Sequence, residues 1–171
     1  MPAFPDLGAE EIAAVAGYIR NAWVNDFGPA SVDEVAAVLD WLEDAGPRVS
    51  VWTGVYTEEQ ANRGKAAHRG TCTRCHGRRL NGAGEPDMEP APDIARIGFL
   101  QRWDGQSVAT LFAFVHTTMP PSNPGFLSDQ DYLDAIAYIF QVSGMPAGDS
   151  ELPLDPVALA GFVIVPKPEG G

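Results

Sequence analysis

Cys72-Thr73-Arg74-Cys75-His76 is the stretch on which the reading of this chain turns. Two cysteines three positions apart, with a histidine directly after them, form the attachment sequence of a c-type haem. The spacing has a chemical reason. Each thiol adds to one vinyl group on the same porphyrin edge, and the two residues between them let both sulfurs reach it. The adjacent imidazole then falls beneath the ring and meets the iron from the proximal side. The chain has two cysteines in all, so no other pairing competes. Zinc takes four ligands, and here only His68 and His116 would be left as further imidazoles, with no second cysteine pair. A thioredoxin-like redox pair belongs in a βαβ context, whereas the segment before Cys72 reads as helix. A disulfide between these two cysteines would close a small, strained ring. The expected cofactor is one covalently attached haem c.

A haem that carries electrons needs a sixth ligand, and Met/His ligation is a known arrangement for that task. The methionines are Met1, Met88, Met119 and Met145. Met119 is the expected axial ligand: it follows a helix-like run, Val108 to Thr117, and is fixed by Pro120 and Pro121, which stop the helix and stiffen the loop. Met88 lies only twelve residues beyond His76 in a Gly/Pro/acid loop, and Met145 lies past the last helix. The ordinary role of a methionine is core packing, and His116 is the second choice for the iron. The expected metal ligands are therefore His76 and Met119. His68, just before the attachment sequence, reads as a packing or surface residue.

The 171 residues are 45% hydrophobic and 20% charged, an ordinary globular composition. No apolar run approaches the ~20 residues that cross a bilayer, so no transmembrane segment is expected. The net charge of −12 argues against general nucleic-acid binding. Residues 1–50 hold nine acids against two bases, while eight bases and four acids lie between Arg63 and Arg102. Arg69, Arg74, Arg78 and Arg79 make the attachment region locally basic. They are solvated, pair with haem propionates, or form a docking rim for an acidic partner.

Met1-Pro2 and the segment from Leu7 to Ile19 resemble Met119-Pro120 and the segment from Leu127 to Ile139. Leu, Tyr and Ile coincide at an offset of 120. The N-terminus thus reads as the tail of an earlier haem domain without its attachment sequence, and Met1 has no iron to ligate. The expected first helix runs to about Trp23. Ser31-Val32-Asp33-Glu34 opens a second, through Leu42, before Gly46-Pro47. Val49 to Val55 reads as an extended connector, and Thr57-Glu58-Glu59-Gln60 as a capping box starting a helix that Gly70 breaks. Ser107 and Ser128 cap two more helices. The last has a buried stripe of Tyr132, Leu133, Ile136, Ala137 and Phe140, with Asp134 facing outward. The expected organisation is a helical appendage at 1–48, a haem domain at 49–148 and an extended tail at 149–171.

Taken together, Cys72–His76, Met119-Pro120 and a final helix containing Ala137-Tyr138-Ile139 resemble the class I cytochrome c family across about residues 53–146. Phe99–Trp103, Met119–Ser128, Gly144–Gly148 and Glu151-Leu152-Pro153 are similar to haem domains that accompany quinoprotein dehydrogenases of the PQQ type. The resemblance implies an all-α cytochrome c fold, three to four helices around the haem. It implies that Gly64 allows the first and last helices to cross closely against Ala137 or Tyr138. It also implies that the Pro92 carbonyl holds the His76 imidazole N–H and that Trp103 packs near the propionates. At His68 the family often has an aromatic residue, and the chain departs from it there.

The function so implied is one-electron transfer rather than enzymatic catalysis, in an apolar pocket of Phe112, Val115, Leu127, Tyr132 and Ile136. The donor would be a periplasmic quinoprotein dehydrogenase and the acceptor a cytochrome or oxidase. Haem attachment in bacteria takes place outside the cytoplasm, so a periplasmic location is expected, although residues 1–7 lack the features of an export signal. Two rival readings are a haem subunit permanently bound in a larger dehydrogenase complex, and a haem protein with an open sixth site that binds ligands or acts as a peroxidase.

Overall fold

Ser31, Thr57, Ser107 and Ser128 each begin a helix in the computed structural model, which describes residues 7–22, 28–44, 48–88 and 91–168. In each case the hydroxyl accepts from the backbone N–H three residues on, satisfying a donor that the helix itself leaves free. The chain divides into two units, Met1–Gly46 and Pro47–Gly171.

The first unit is a pair of helices of 13 residues each, α1 (Ala9–Asn21) and α2 (Val32–Asp44), packed on one another. The start of α2 carries the full reciprocal cap: Ser31 N–H donates to Glu34 Oε2 (2.9 Å) and Glu34 N–H to Ser31 Oγ (3.1 Å). Met1, Trp23 and Gly46-Pro47 lie outside the described residues.

The second unit holds the attachment sequence. Strand β1 (Val49–Ser50) and a 3₁₀ turn (Val51–Thr53) lead into α3 (Glu58–Ala67). Then come α4 (Thr73–His76), α5 (Arg96–Trp103), α6 (Val108–Thr118), α7 (Asp129–Val142), α8 (Pro156–Gly161) and strand β2 (Phe162–Val163). The fold is all-α apart from the short parallel pairing of β1 with β2. Gly70 does not break the helix before Cys72. The run His68–Cys72 continues it as one wide π turn, a feature often found at functional sites.

The main packing is of α3 across α7. Gly64 makes it possible: a Cβ there would overlap the carbonyl of Asp134 and crowd the N of Ala135. The contact thus lies one turn earlier on α7 than Ala137 or Tyr138. The predicted stripe of α7 is buried as expected. Asp134 is buried too, only 3% exposed, contrary to its expected outward position. Its carboxylate takes a fork of bonds from Arg63, Nε to Oδ2 at 2.7 Å and Nη2 to Oδ1 at 3.0 Å, plus Gln130 Nε2 at 2.7 Å. A buried carboxylate is tolerated because it is paired and hydrogen-bonded.

Replacing Arg63 with alanine strands that charge with Gln130 alone. Arg63 is 45% exposed, so solvent moderates the loss, and we expect about 2–3 kcal/mol of destabilisation rather than the 3–5 of a fully buried pair. Urea unfolding measures it; no change in midpoint would make the fork ornamental.

Two further differences come from the chain end. Gln60 does not complete a capping box, because its amide is turned to the backbone of Leu152: Nε2 donates to the carbonyl (3.2 Å) and Oε1 accepts from the N–H (2.8 Å). Of the expected tail at 149–171, the described residues 149–168 are not extended over the surface. Leu152, Leu159 and Ile164 enter the core beside Tyr56, Phe99 and Phe140, and Trp52 Nε1 donates to the carbonyl of Val165 (2.9 Å). Apolar side chains spaced by prolines read as linker, yet here they close the core over α3 and α6.

Candidate haem site

The π turn and α4 carry Thr71, Cys72, Cys75 and His76 to the wall of one apolar cleft. Gly77 follows at φ 73°, a left-handed conformation that lets the chain leave α4 at once. The cleft is lined almost wholly by apolar groups and is partly open to solvent, a concave apolar surface of the kind that takes a cofactor. Ile94, Phe99 and Trp103 line it from the middle of the chain, and Leu127, Tyr132, Ala135, Ile136 and Ile139 from the last helix and its approach.

His76 is buried in this wall, with Nδ1 2.9 Å from the Pro92 carbonyl. A carbonyl can only accept, so the proton sits on Nδ1 and Nε2 keeps its lone pair, the form an imidazole needs to bind a metal. Met119 lines the same cleft from the end of α6. Its N–H donates to Val115 (2.9 Å) and its carbonyl accepts from Tyr132 Oη (2.6 Å), so its backbone is held on both sides. Met145 is instead core, with its carbonyl bonded to Tyr56 Oη (2.7 Å). Among the described methionines, Met119 is the one that reaches the cleft.

His116 lies elsewhere. Its ring packs on Tyr132 and Phe112, and Nε2 is 3.2 Å from Asp129 Oδ1. Phe112 faces His116 rather than the cleft, so the expected pocket is corrected by a small rotation of α6: Leu111, Phe114 and Val115 supply its lining. Trp103 is in the lining and meets Phe114 edge to face at 5.4 Å. Arg102, beside it, is the permanently charged member of the cleft, tethered to Asp93 (Nη1 to the carbonyl, 2.9 Å). Sequence reasoning overlooked Arg102. The signal was there, a cation directly beside the tryptophan in Phe99–Trp103.

Arg69, Arg74, Arg78 and Arg79 do not enter the cleft. With Lys65 they line a separate polar recess, so they share one face. Arg74 is paired there with Glu85 (3.2 Å). His68 lines both cavities and is only 3% exposed. Its ring packs on Tyr138 of α7 at 5.6 Å, in the place of the aromatic residue that the family pattern leads one to expect.

The residues present fit a haem c. Two thiols and a buried imidazole with a free lone pair stand on one wall of an apolar cleft, and a thioether reaches the same space. Burial, with Cys75 beside it, pushes the Cys72 thiol up to about 11, so in the closed fold it is a protonated, apolar wall group. Among the described residues no cluster of three His, Cys, Asp or Glu side chains is arranged to hold a lone metal ion.

Residues 59–139, just under half of the chain, match the family model described as cytochrome c oxidase, cbb3-type, subunit III, which is a c-type cytochrome domain. Searches of the curated proteins and of the solved structures returned no match. A domain of this class binds haem c covalently, and Cys72 and Cys75 are the pair available for attachment. Its work is haem-based electron transfer with redox partners, as a carrier or as a haem subunit. Among the described residues no helix is long and apolar enough to cross a membrane.

Proposed function

We propose that this protein is a one-electron carrier whose haem c is ligated by His76 and Met119. The observation that carries the reading is the cleft, to which the distant Met119 comes beside Cys72, Cys75 and His76. When bound, the haem iron supplies the electron-transfer chemistry by cycling between ferrous and ferric. The chain's own residues do the rest. Pro92 holds the His76 ring in one tautomer and orientation, and the accepting carbonyl raises its basicity as a ligand. Tyr132 holds the Met119 carbonyl, which keeps the thioether at the cleft. Leu111, Val115, Ile136 and Ile139 exclude water and so disfavour the additional charge of the oxidised metal. Arg102 and Trp103 at the same cleft are suited to the propionates, the arginine by charge and the indole by its N–H.

The partners in this reading are a periplasmic quinoprotein dehydrogenase as donor and a cytochrome or oxidase as acceptor. They rest on the similarity of Phe99–Trp103 and Gly144–Gly148 to haem domains of that group, and location follows from haem attachment. The paired helices α1 and α2 are read as the remnant of a preceding haem domain, on the repeat between Leu7–Ile19 and Leu127–Ile139. A second reading is favoured by the matched family's description as an oxidase subunit: the chain is the haem subunit of a stable complex. Sedimentation of the native protein separates the two.

The test is spectroscopic. Protein matured in a host that attaches haem c is expected to keep its pigment through acidified acetone and to show a near-infrared methionine–iron band when ferric. Pigment released into the acetone would end the attachment reading; a bound haem without the band would end the methionine assignment in favour of an open sixth site.

A further inference from the structure

His68 is the buried polar side chain whose chemistry the electron-transfer reading leaves unused. Thr73 Oγ1 donates its one proton to the His68 carbonyl (3.0 Å) and lies 3.3 Å from His68 Nδ1, so Nδ1–H donates to the hydroxyl. That leaves a lone pair on Nε2, which is buried with no hydrogen-bond partner among the described residues. Leaving such a group unpaired costs stability on the order of 1–3 kcal/mol. The ring is also the partition between two spaces, lining the haem cleft on one side and the polar recess on the other.

We propose that His68 is a proton-binding site coupled to the redox state of the haem, taking up a proton through the recess as an electron arrives and releasing it on oxidation. This rests on the haem reading above. On reduction, the electron comes from the donor protein and the proton from solvent, and an Nε2–H bond forms; oxidation breaks that bond and returns the proton to solvent. The coupling is electrostatic and reciprocal. The oxidised metal carries one more positive charge than the reduced one and repels an imidazolium in the same wall, so the ferrous protein holds the proton more tightly.

Lys65 and Arg69 share the cavity walls with His68 from its own helical run, Arg74 and His76 from α4, and Tyr138 from α7; the loop after α4 adds Arg78, Arg79 and Glu85. The surroundings are cationic apart from Glu85, which Arg74 occupies. Burial holds the proton affinity of His68 below the ordinary histidine value. The neutral ring is therefore the resting form near neutrality, and a small change in local charge decides whether it protonates.

The test is the midpoint potential of the holoprotein between pH 4 and 9, for wild type, His68→Phe and His68→Gln. In wild type the potential is expected to fall as pH rises through a window below about 6.5, by about 59 mV for each tenfold difference in His68 proton affinity between the two states. A difference on the order of tenfold is expected. Both variants should lose this wave while keeping the haem and the methionine–iron band. Should neither variant mature, the wild-type His68 ring is followed by NMR in both oxidation states, and a higher proton affinity in the ferrous protein is the supporting result. Identical pH profiles in wild type and variants, or equal His68 titration in both states, would overturn the proposal with the haem reading intact. Protein that binds no haem would remove both.

Discussion

Met119→Ala is expected to lower the midpoint potential by on the order of 0.2 V, a fraction of the roughly 0.8 V that axial-ligand identity spans. The haem should stay attached, because the thioether bonds to Cys72 and Cys75 do not depend on the sixth ligand. The thioether favours the reduced metal, and its loss leaves the position to water, a harder ligand that favours the oxidised one. The backbone here is held by Val115 and Tyr132 rather than by the methionine side chain, so the loop should survive the change. A spectroelectrochemical titration reads the effect. An unchanged potential would return Met119 to the role of a cleft-lining apolar residue. His76→Ala is the contrasting case: with no imidazole on the proximal wall, no stable holoprotein is expected.

Gly64→Ala should give the largest loss of stability of any one-carbon change in the domain. An alanine in a helix interior ordinarily gains up to about 1 kcal/mol over glycine. At this crossing the added methyl meets the backbone of Asp134 and Ala135, which cannot rotate aside as a side chain would. Either α3 and α7 separate, exposing Leu133 and Ile136, or the helices distort. Overpacking of this kind costs about 3 kcal/mol or more, which outweighs the propensity gain. For a domain of this size that is a drop in Tm on the order of 10 °C. Equal or higher Tm in Gly64→Ala would mean that the crossing is looser than described.

Features that depend on neighbours in the chain were legible in the residues. Ser31, Thr57, Ser107 and Ser128 cap where expected, because a cap needs only the next three residues. The attachment sequence is equally local, and the stripe of α7 follows from its 3.6-residue period. The features that escaped all have distant partners. Asp134 reads as outward because it is charged, and only Arg63, 71 positions away, makes its burial tolerable. Helix α5 has no cap of its own; the Arg96 N–H is taken by Ser143 Oγ at the end of α7. Gln60 looks like the second half of a capping box until Leu152 claims its amide. In the site, the Pro92 carbonyl came from family resemblance and not from any local pattern, and the burial of His68 depends on Tyr138 from the other end of the domain.

These distant fastenings also set an order of events. Trp52 meets Val165 across 113 positions, and Gln60 meets Leu152 across 92. Pairings this remote form late, since loop closure must precede any gain from them. A growing chain has therefore made Cys72 and Cys75 well before it holds the residues that build the cleft around them. The burial that pushes the Cys72 thiol up to about 11 belongs to the shut form alone. In the open chain the sulfur has the acidity of an ordinary free thiol, and its thiolate is available to react. The interval between synthesis and closure is the chemical opportunity for joining the porphyrin, and a domain that closed too soon would offer a less reactive thiol at Cys72.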